Sequence, residues 1–588
     1  MSTAAINGFS WKLPSSPDHR DYKEILAFIE ELKKKDVKQG LAWFAALAER
    51  DFWLWQWQVM SLGKLEIRDP GHKRKGGLWV MEHWFFDRMR EVQEDFDSGR
   101  TDVLYQFGRF MFKSSAIQKG GALWFLAKDR TETIAVFTHK LDQVGEAFGK
   151  DFLKEINGNA VLRAHWPQFR QLEEESATRI TVSRPPGIRE PSISLHGILG
   201  SAASGHFRKI FVDDAVTDKA ASSPAIMAEV DSQISLLAPL AADDTQRFWI
   251  GTPWNEDDAI EQRRKKGSFF LKVRRYPGIK DGAAQLRSMS YWNNLRRTMR
   301  EDHFSSQILL KLIPKGSVYF RTEWMRCYTG TPKEAARGTR IHIKIDPAEG
   351  KKIGKRKSDF LVIEVEAFTF DRHRRSLDLW RERVGIAEAM DMLLGPLPGE
   401  EDHPDNLWKL REIGPRGLIG RWKKVDPDLT LWVENVGGSS FDQTIKREMR
   451  QRLIHDKSSP TCTVRELRSN VQKEQRIAAS QPDYRNGVME FPFFSLEGGF
   501  RGGYGHGSFT TEDNRDTLEQ FITDEYRQWT LSGETPNDDM LDLKAWPSQP
   551  GISMSYPDSP ADPELGGLRL ESSLASGRES ASPSWRVA

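Results

Sequence analysis

Between Thr101 and about Asp258, short β-type runs alternate with helical stretches; the strand candidates are VLYQF, LWFLAK, IAVFTH, RITVS, SISLHGI, KIFVDD and RFWIGTP. This alternation leaves few architectures open. A helix between two strands covers a sheet face and returns the chain parallel to its start, which predicts an α/β layer on a largely parallel sheet. A second α/β block opens near Thr339 with RIHIKID, DFLVIEVEAF and SLDLWRERV. Its runs follow one another closely, which predicts an antiparallel meander. Helix IAEAMDMLL, strand LTLWVEN, helix FDQTIKREMRQRLI and strand TCTVREL come after it.

These blocks divide the 588 residues into a helical region at 1–95, an α/β core at 96–262, a basic connector at 263–338, a second α/β domain at 339–548 and a disordered tail at 549–588. The helical region is rich in tryptophan (Trp43, Trp53, Trp55, Trp57, Trp79, Trp84), and aromatic residues at helical spacing predict packing. GGFRGGYGHGS reads as a glycine-rich surface loop. A formal net charge of +2 argues against a polycation that coats nucleic acid by bulk charge. Cys327 and Cys462 are too few for a disulfide framework or a zinc cluster. The N-terminus lacks the pattern of a signal peptide, and no run approaches the roughly 18 apolar residues of a membrane span. The expectation is a soluble intracellular protein.

Two constellations carry chemistry. In YQFGRFMFKSS, after a strand and before a helix, Lys113 and Ser114 match the end of G-x-x-x-x-G-K-[ST]. Phe112 replaces the second glycine, and Gly108 lies one residue closer to the lysine than the first glycine should. Backbone N–H groups at a helix start cradle phosphate, a lysine reaches the outer phosphates, and a hydroxyl ligates Mg²⁺. The strand KIFVDD ends in Asp213, placed for the magnesium shell, and Asp214, placed to orient or deprotonate water. A third strand ends at Thr252. The ordered trio predicts nucleotide hydrolysis.

In the second block, strict alternation in RIHIKID puts Asp346 on one face with His342 and Lys344. Glu434 ends LTLWVEN, and NDDMLD reads as a helix start with Asp539 and Asp542 on one face. Brought together by the fold, these carboxylates would cage two Mg²⁺ or Mn²⁺ ions for phosphodiester cleavage.

The order GRFMFKSS, KIFVDD, FWIGTPWNEDD, HFSSQILLKLIPKGSVYF, IHIKIDPAEG, WVEN, NDDMLD resembles the large terminase subunit of tailed bacteriophages over about residues 80 to 546. The resemblance implies an N-terminal P-loop (ASCE-type) ATPase domain and a C-terminal RNase H-like nuclease domain. It implies ATP contacts at Gly108, Arg109, Lys113, Ser114, Ser115 and Asp213, with Mg²⁺ at Ser114 and Asp213. It further implies catalytic roles for Asp214 (commonly glutamate in the family), Arg109 and Thr252, and nuclease metal ligands at Asp346, Glu434, Asp539 and Asp542. Asp538 and Asp359 are candidates around that site. The implied partners are double-stranded DNA, a small terminase subunit and a portal protein, with a homo-oligomeric ring during packaging. The implied place is the host cytoplasm and, transiently, the portal vertex of the procapsid.

Arg263–Lys266 with Lys272, Arg274 and Arg275, and the loop cluster Lys351, Lys352, Lys355, Arg356 and Lys357, read either as solvated faces or as weak, sequence-independent phosphate contacts. Two rival readings are a helicase-like or repair ATPase with a non-cleaving nucleic-acid-binding C-terminal module, and an assembly protein with a decayed nucleotide loop.

Overall fold

The computed structural model describes residues 20–558, except 68, 70–77, 80–82, 142–145, 201–204, 222, 238–239, 315–316, 348–359, 398–412, 435–440, 510–513 and 532–536. Most of the tail, Asp359 and the Lys351–Lys357 cluster lie outside the described residues. The chain forms two compact units, Met1–Lys315 and Gly316–Ala588.

The first unit starts with helices α1 (Arg20–Lys35), α2 (Val37–Arg50) and α3 (His83–Asp97). Asp36 caps α2 by accepting from the Gln39 N–H. The expectation of tryptophan packing holds for Trp53 and Trp55, which are fully buried. The Trp55 indole donates to the Gly120 carbonyl and the Trp124 indole to the Ala48 carbonyl, both at 3.0 Å. The N-terminal helices therefore share one core with the sheet.

Among the described residues that sheet has eight strands: β1 (Val103–Phe107), β2 (Ile134–Thr138), β3 (Leu172–Glu175), β4 (Arg179–Val182), β5 (Ile193–Gly197), β6 (Phe207–Asp213), β7 (Ala241–Gly251) and β8 (Lys272–Tyr276). Their order is β8-β1-β7-β6-β2-β5-β4-β3, with every pair from β8 to β5 parallel. One strand, β7, separates β1 from the acidic strand β6, as an ASCE-type sheet requires. Two sequence expectations need correction. LWFLAK belongs to helix α4 (Gly120–Lys128), whose residues 120–127 are all buried, so its apolar run lacks the one-sided period of a surface helix. The edge strand β8 falls inside the expected connector.

The second unit carries β9 (Arg326–Cys327), β10 (Arg340–Asp346), β11 (Leu361–Phe368), β12 (Arg374–Glu382), β13 (Thr430–Glu434), β14 (Thr463–Leu467) and β15 (Met489–Phe491). The order is β9-β15-β12-β11-β10-β13-β14. β10, β11 and β12 form the expected antiparallel meander, while β13 and β14 run parallel to β10. The core order 3-2-1-4-5 with a reversed second strand is that of an RNase H-like sheet. Helices α5 (Lys473–Ala479) and α6 (Asp539–Ala545) stand by this sheet.

The glycine-rich loop is anchored to the sheet. His506 stacks on Trp380 with ring centroids 3.8 Å apart and lies 2.7 Å from Asp378. The start of the expected disordered tail is ordered too: the Ser555 carbonyl lies 2.9 Å from the His342 ring, and Met554 is buried.

Candidate functional site

The first site forms where β1, β6 and β7 end side by side. Gly108 leaves β1 in a crowded position, where a Cβ would lie 2.9 Å from the Gly278 nitrogen and 3.1 Å from the Ile308 carbonyl oxygen. Close backbone approach demands glycine there. Phe110 and Phe112 then adopt left-handed backbone angles, φ 67° and 60°. Phe112 thus takes the conformation that glycine adopts without cost, at a strain on the order of 1 kcal/mol or more. Lys113 follows at the N-cap of a wide, π-helical turn, Ser114–Lys119, that runs into α4.

Lys113 meets both aspartates at the end of β6. Its Nζ donates to Asp214 Oδ2 at 2.5 Å and lies 3.6 Å from Asp213 Oδ1. Asp213 is fully buried, and neither of its carboxylate oxygens has a hydrogen-bond partner. Burial pushes its pKa up to about 6 against the pull of Lys113. A dry, unsatisfied carboxylate beside a hydroxyl-bearing helix start fits a magnesium ion, whose chemistry calls for hard oxygen ligands. The Thr252 hydroxyl donates to the Phe107 carbonyl at 3.3 Å and ties the end of β7 to the end of β1. Arg109 is exposed, with its guanidinium 5.7 Å from the Trp254 ring, and its charge opposes protonation of Lys113. Ser115 lies one residue into the turn, partly exposed. A small cleft at Asp214 and Thr252 is lined by Gln106, Val216, Trp249 and Ile260 among others.

The second site lies at the carboxyl ends of β10 and β13. These strands pair in parallel with Ile345 opposite Val433, so Asp346 and Glu434 come next to each other along the sheet edge. Across from them α6 presents Asp539 and Asp542, with Asp538 at its cap. Burial and the charges of Glu434, Asp539 and Asp542 hold the Asp346 carboxyl well above the usual range. Glu434 is raised by burial and by Asp542, and Asp542 is raised by burial against the pull of Arg476.

Sequence reasoning missed two members of this site, Lys473 and Arg476 of α5. Arg476 Nε donates to Asp542 Oδ1 at 2.6 Å, and a terminal nitrogen reaches Glu434 Oε1 at 3.3 Å. Lys473 Nζ lies 2.6 Å from Asp538 and 2.9 Å from Asp539. The Trp546 indole donates to Glu434 Oε2 at 3.0 Å. The three-residue spacing of Lys473 and Arg476, which shares one helix face, was the available signal. Among the described residues, no three His, Cys, Asp or Glu side chains gather to hold a metal ion. The donor chemistry suits a hard divalent cation, but in this arrangement two internal cations partner the carboxylates.

The basic segment after the first α/β core is also largely partnered. Arg263 pairs with Asp231 at 2.7 Å, Arg264 with Glu261, Lys265 with Glu256 at 3.7 Å, and Arg274 with Glu91, Glu94 and Asp95. Its charge holds the unit together more than it offers a free face to phosphate. Among the described residues, no helix is long and apolar enough to cross a membrane.

No family model and no curated protein matches the chain. Solved structures similar to it include the large terminase of a thermophilic bacteriophage in complex with ADP, at 10% identity over 77% of this chain and 94% of that one, with a TM-score of 0.37. Another is the HK97 bacteriophage large terminase, at 12% identity over 75% and 90%, with a TM-score of 0.28. A third is the manganese-soaked terminase nuclease domain of human cytomegalovirus, at 12% identity over 38% and 93%, with a TM-score of 0.25.

Proposed function

We propose that this chain is the large subunit of a viral terminase, an ATP-driven motor that moves double-stranded DNA into a procapsid and cuts concatemeric genomes with a metal-dependent endonuclease. One observation carries the reading: Lys113, from the loop after β1, touches the paired aspartates at the end of β6. The second unit adds a strand-end carboxylate pair facing an acidic helix, which supports a phosphodiesterase reading.

In the nucleotide site, Lys113 would exchange Asp214 for the outer phosphates of ATP. That exchange frees the Asp214 carboxylate to accept the proton of an attacking water, a role its side chain fills one methylene short of a glutamate. Ser114 and Asp213 would hold Mg²⁺, which neutralises charge on the phosphates when bound. Gly108 and Arg109 hold the phosphate loop in place, their N–H groups donating to the Tyr276 and Gln307 carbonyls at 2.8 Å, while Ser115 and the Arg109 guanidinium would face the phosphates. Thr252 bonds the carbonyl that ends β1, so it is placed to pass a shift at the phosphate loop into β7 and the segment after it.

In the second unit, Asp346, Glu434, Asp539 and Asp542 would hold Mg²⁺ or Mn²⁺, which supplies water activation and leaving-oxygen stabilisation when bound. As a packaging motor the chain would work with a small terminase subunit and a portal protein, as a homo-oligomeric ring. It would act in the host cytoplasm and, transiently, at the portal vertex.

DNA-stimulated ATP turnover by the full chain tests the motor site, and unchanged turnover in Lys113→Ala rejects it. Plasmid nicking in Mn²⁺ tests the nuclease, and equal nicking by Asp346→Asn assigns the activity elsewhere. One observation favours a second reading: Lys473 and Arg476 already pair with Asp538, Asp539, Glu434 and Asp542, as suits a helicase-like or repair ATPase whose second unit binds nucleic acid without cleaving it. Absence of metal-dependent nicking by the unaltered chain would select that reading.

A further inference from the structure

The second unit buries a charge network that the proposed chemistry does not use. Lys344, Glu364, Glu366 and Lys544 have no exposed side-chain surface, and Arg374 has almost none. Lys344 Nζ lies 2.7 Å from Glu364 and 2.8 Å from Glu366. Lys544 pairs with Glu364 and donates to the Ser376 hydroxyl at 2.8 Å. Arg374 donates to Glu366 at 2.8 Å, to Asp483 at 2.7 Å and to the Lys544 carbonyl at 2.8 Å. Lys344, Lys544 and Arg374 thus balance Glu364, Glu366 and Asp483.

Stability alone does not account for such a cluster, because apolar residues of similar volume often replace a buried ion network at no loss. Its two ends are informative. Lys344 precedes Asp346 by two residues on the same face of β10, and Lys544 follows Asp542 by two residues on α6. A third tie holds the same helix, where the Leu541 N–H donates to Glu525 Oε2 at 2.8 Å. Sliding or rotating α6 against the sheet must break the Lys544–Glu364 pair and the Arg374 bond to the helix backbone together.

We infer that the network of Lys344, Glu364, Glu366, Arg374 and Lys544 is the positioning device of the nuclease site, fixing the carboxylates of α6 against Asp346 on β10. This rests on the nuclease reading above. Lys544 and Glu364 are positioning residues: neither reaches a reacting atom, and both act through the placement of Asp539 and Asp542. Sites of this kind tolerate errors of only about 0.5 Å, and loosening a supporting group costs about 10–100-fold in metal affinity or activity.

The test is the full-length double variant Lys544→Met/Glu364→Gln, which removes one charge of each sign and leaves the other four balanced. Plasmid nicking is measured against Mn²⁺ and DNA concentration, beside thermal unfolding and ATP turnover. The expected result is unchanged ATP turnover, a thermal midpoint near that of the unaltered chain and an unchanged KM for DNA. The half-saturating Mn²⁺ concentration rises, or kcat falls, by about 10–100-fold. Unchanged kcat and Mn²⁺ dependence in a folded variant overturn the inference while leaving the nuclease reading intact. Failure of the unaltered chain to nick DNA overturns both. Should the double variant not fold, Ser376→Ala decides, since it keeps all six charges and removes one hydroxyl from Lys544 and Glu364. A loss of about 3–10-fold in Mn²⁺ response supports positioning, and no loss refutes it.

Discussion

Replacing Arg476 with glutamine removes the cation shared by Asp542 and Glu434. The side chains of Arg476 and Asp542 are only 8% and 3% exposed, so solvent cannot take over the neutralisation. Breaking a buried pair from one side costs about 3–5 kcal/mol. Lys473 stays nearby and still opposes the charge of Asp542, which places the expected loss near the lower end, about 3 kcal/mol, or roughly two orders of magnitude in the local opening equilibrium. Native-state hydrogen exchange in the presence of EDTA reads this directly, in peptides covering α5, β13 and α6. The metal reading adds a second expectation. Mn²⁺ at about a hundred times its dissociation constant restores about 2.7 kcal/mol, because it binds only the folded carboxylates. The sign of the pH response also follows. Asp346, Glu434 and Asp542 have folded pKa values above their ordinary ones, so their contribution is present at low pH and lost as pH rises through the folded values. Acidification in EDTA should therefore raise the protection factors of the variant, once the intrinsic pH dependence of amide exchange is divided out. Unchanged exchange in EDTA refutes the assigned role of Arg476, and a loss that Mn²⁺ leaves untouched refutes these carboxylates as its ligands.

The buried Glu525 carboxyl is pushed up to about 8 by burial, against the pull of Arg381. Its stabilising contribution is complete below the ordinary value of 4.5 and lost as pH rises through about 8, so Glu525→Gln should flatten the pH dependence of unfolding across that window. An unaltered slope in urea titrations at several pH values would exclude the assignment. Phe112→Gly relieves about 1–2 kcal/mol of left-handed strain but adds about 0.5–1 kcal/mol of chain entropy and loses a half-buried ring, so stability should hold within about 1 kcal/mol. Nucleotide affinity should be kept in Phe112→Gly and lost in Phe112→Val, whose β-branch resists the same φ; a titration with equal affinities would contradict the strain argument.

Much of this arrangement was legible because strands announce themselves locally. RIHIKID alternates and ends in Asp346, KIFVDD ends in two carboxylates, and both sit at the strand ends that the pattern predicts. LWFLAK was misread because a helix buried on all sides carries no period to distinguish it from a buried strand. Strand β8 was hidden by its basic residues, which suggested a surface. Arg274 instead finds Asp95, far away in sequence, and only the fold brings the two together. The same holds for Lys473 and Arg476: their three-residue spacing puts two cations on one helix face, but only the meeting of α5 and α6 turns that face to carboxylates. Phe112 was legible as a departure from the glycine pattern, but not as a residue that adopts the glycine conformation.

On the proposed function, one chain would hold two separate chemistries, a triphosphate site at Lys113, Asp213 and Asp214 and a phosphodiester site at Asp346 and Glu434. Measuring DNA-stimulated ATP turnover and Mn²⁺-dependent plasmid nicking on the same preparations of Lys113→Ala and Asp346→Asn tests it most directly. Lys113→Ala is expected to abolish turnover while free nicking continues, and Asp346→Asn to abolish nicking while turnover continues. Loss of both activities in either variant, or of neither in both, would contradict it.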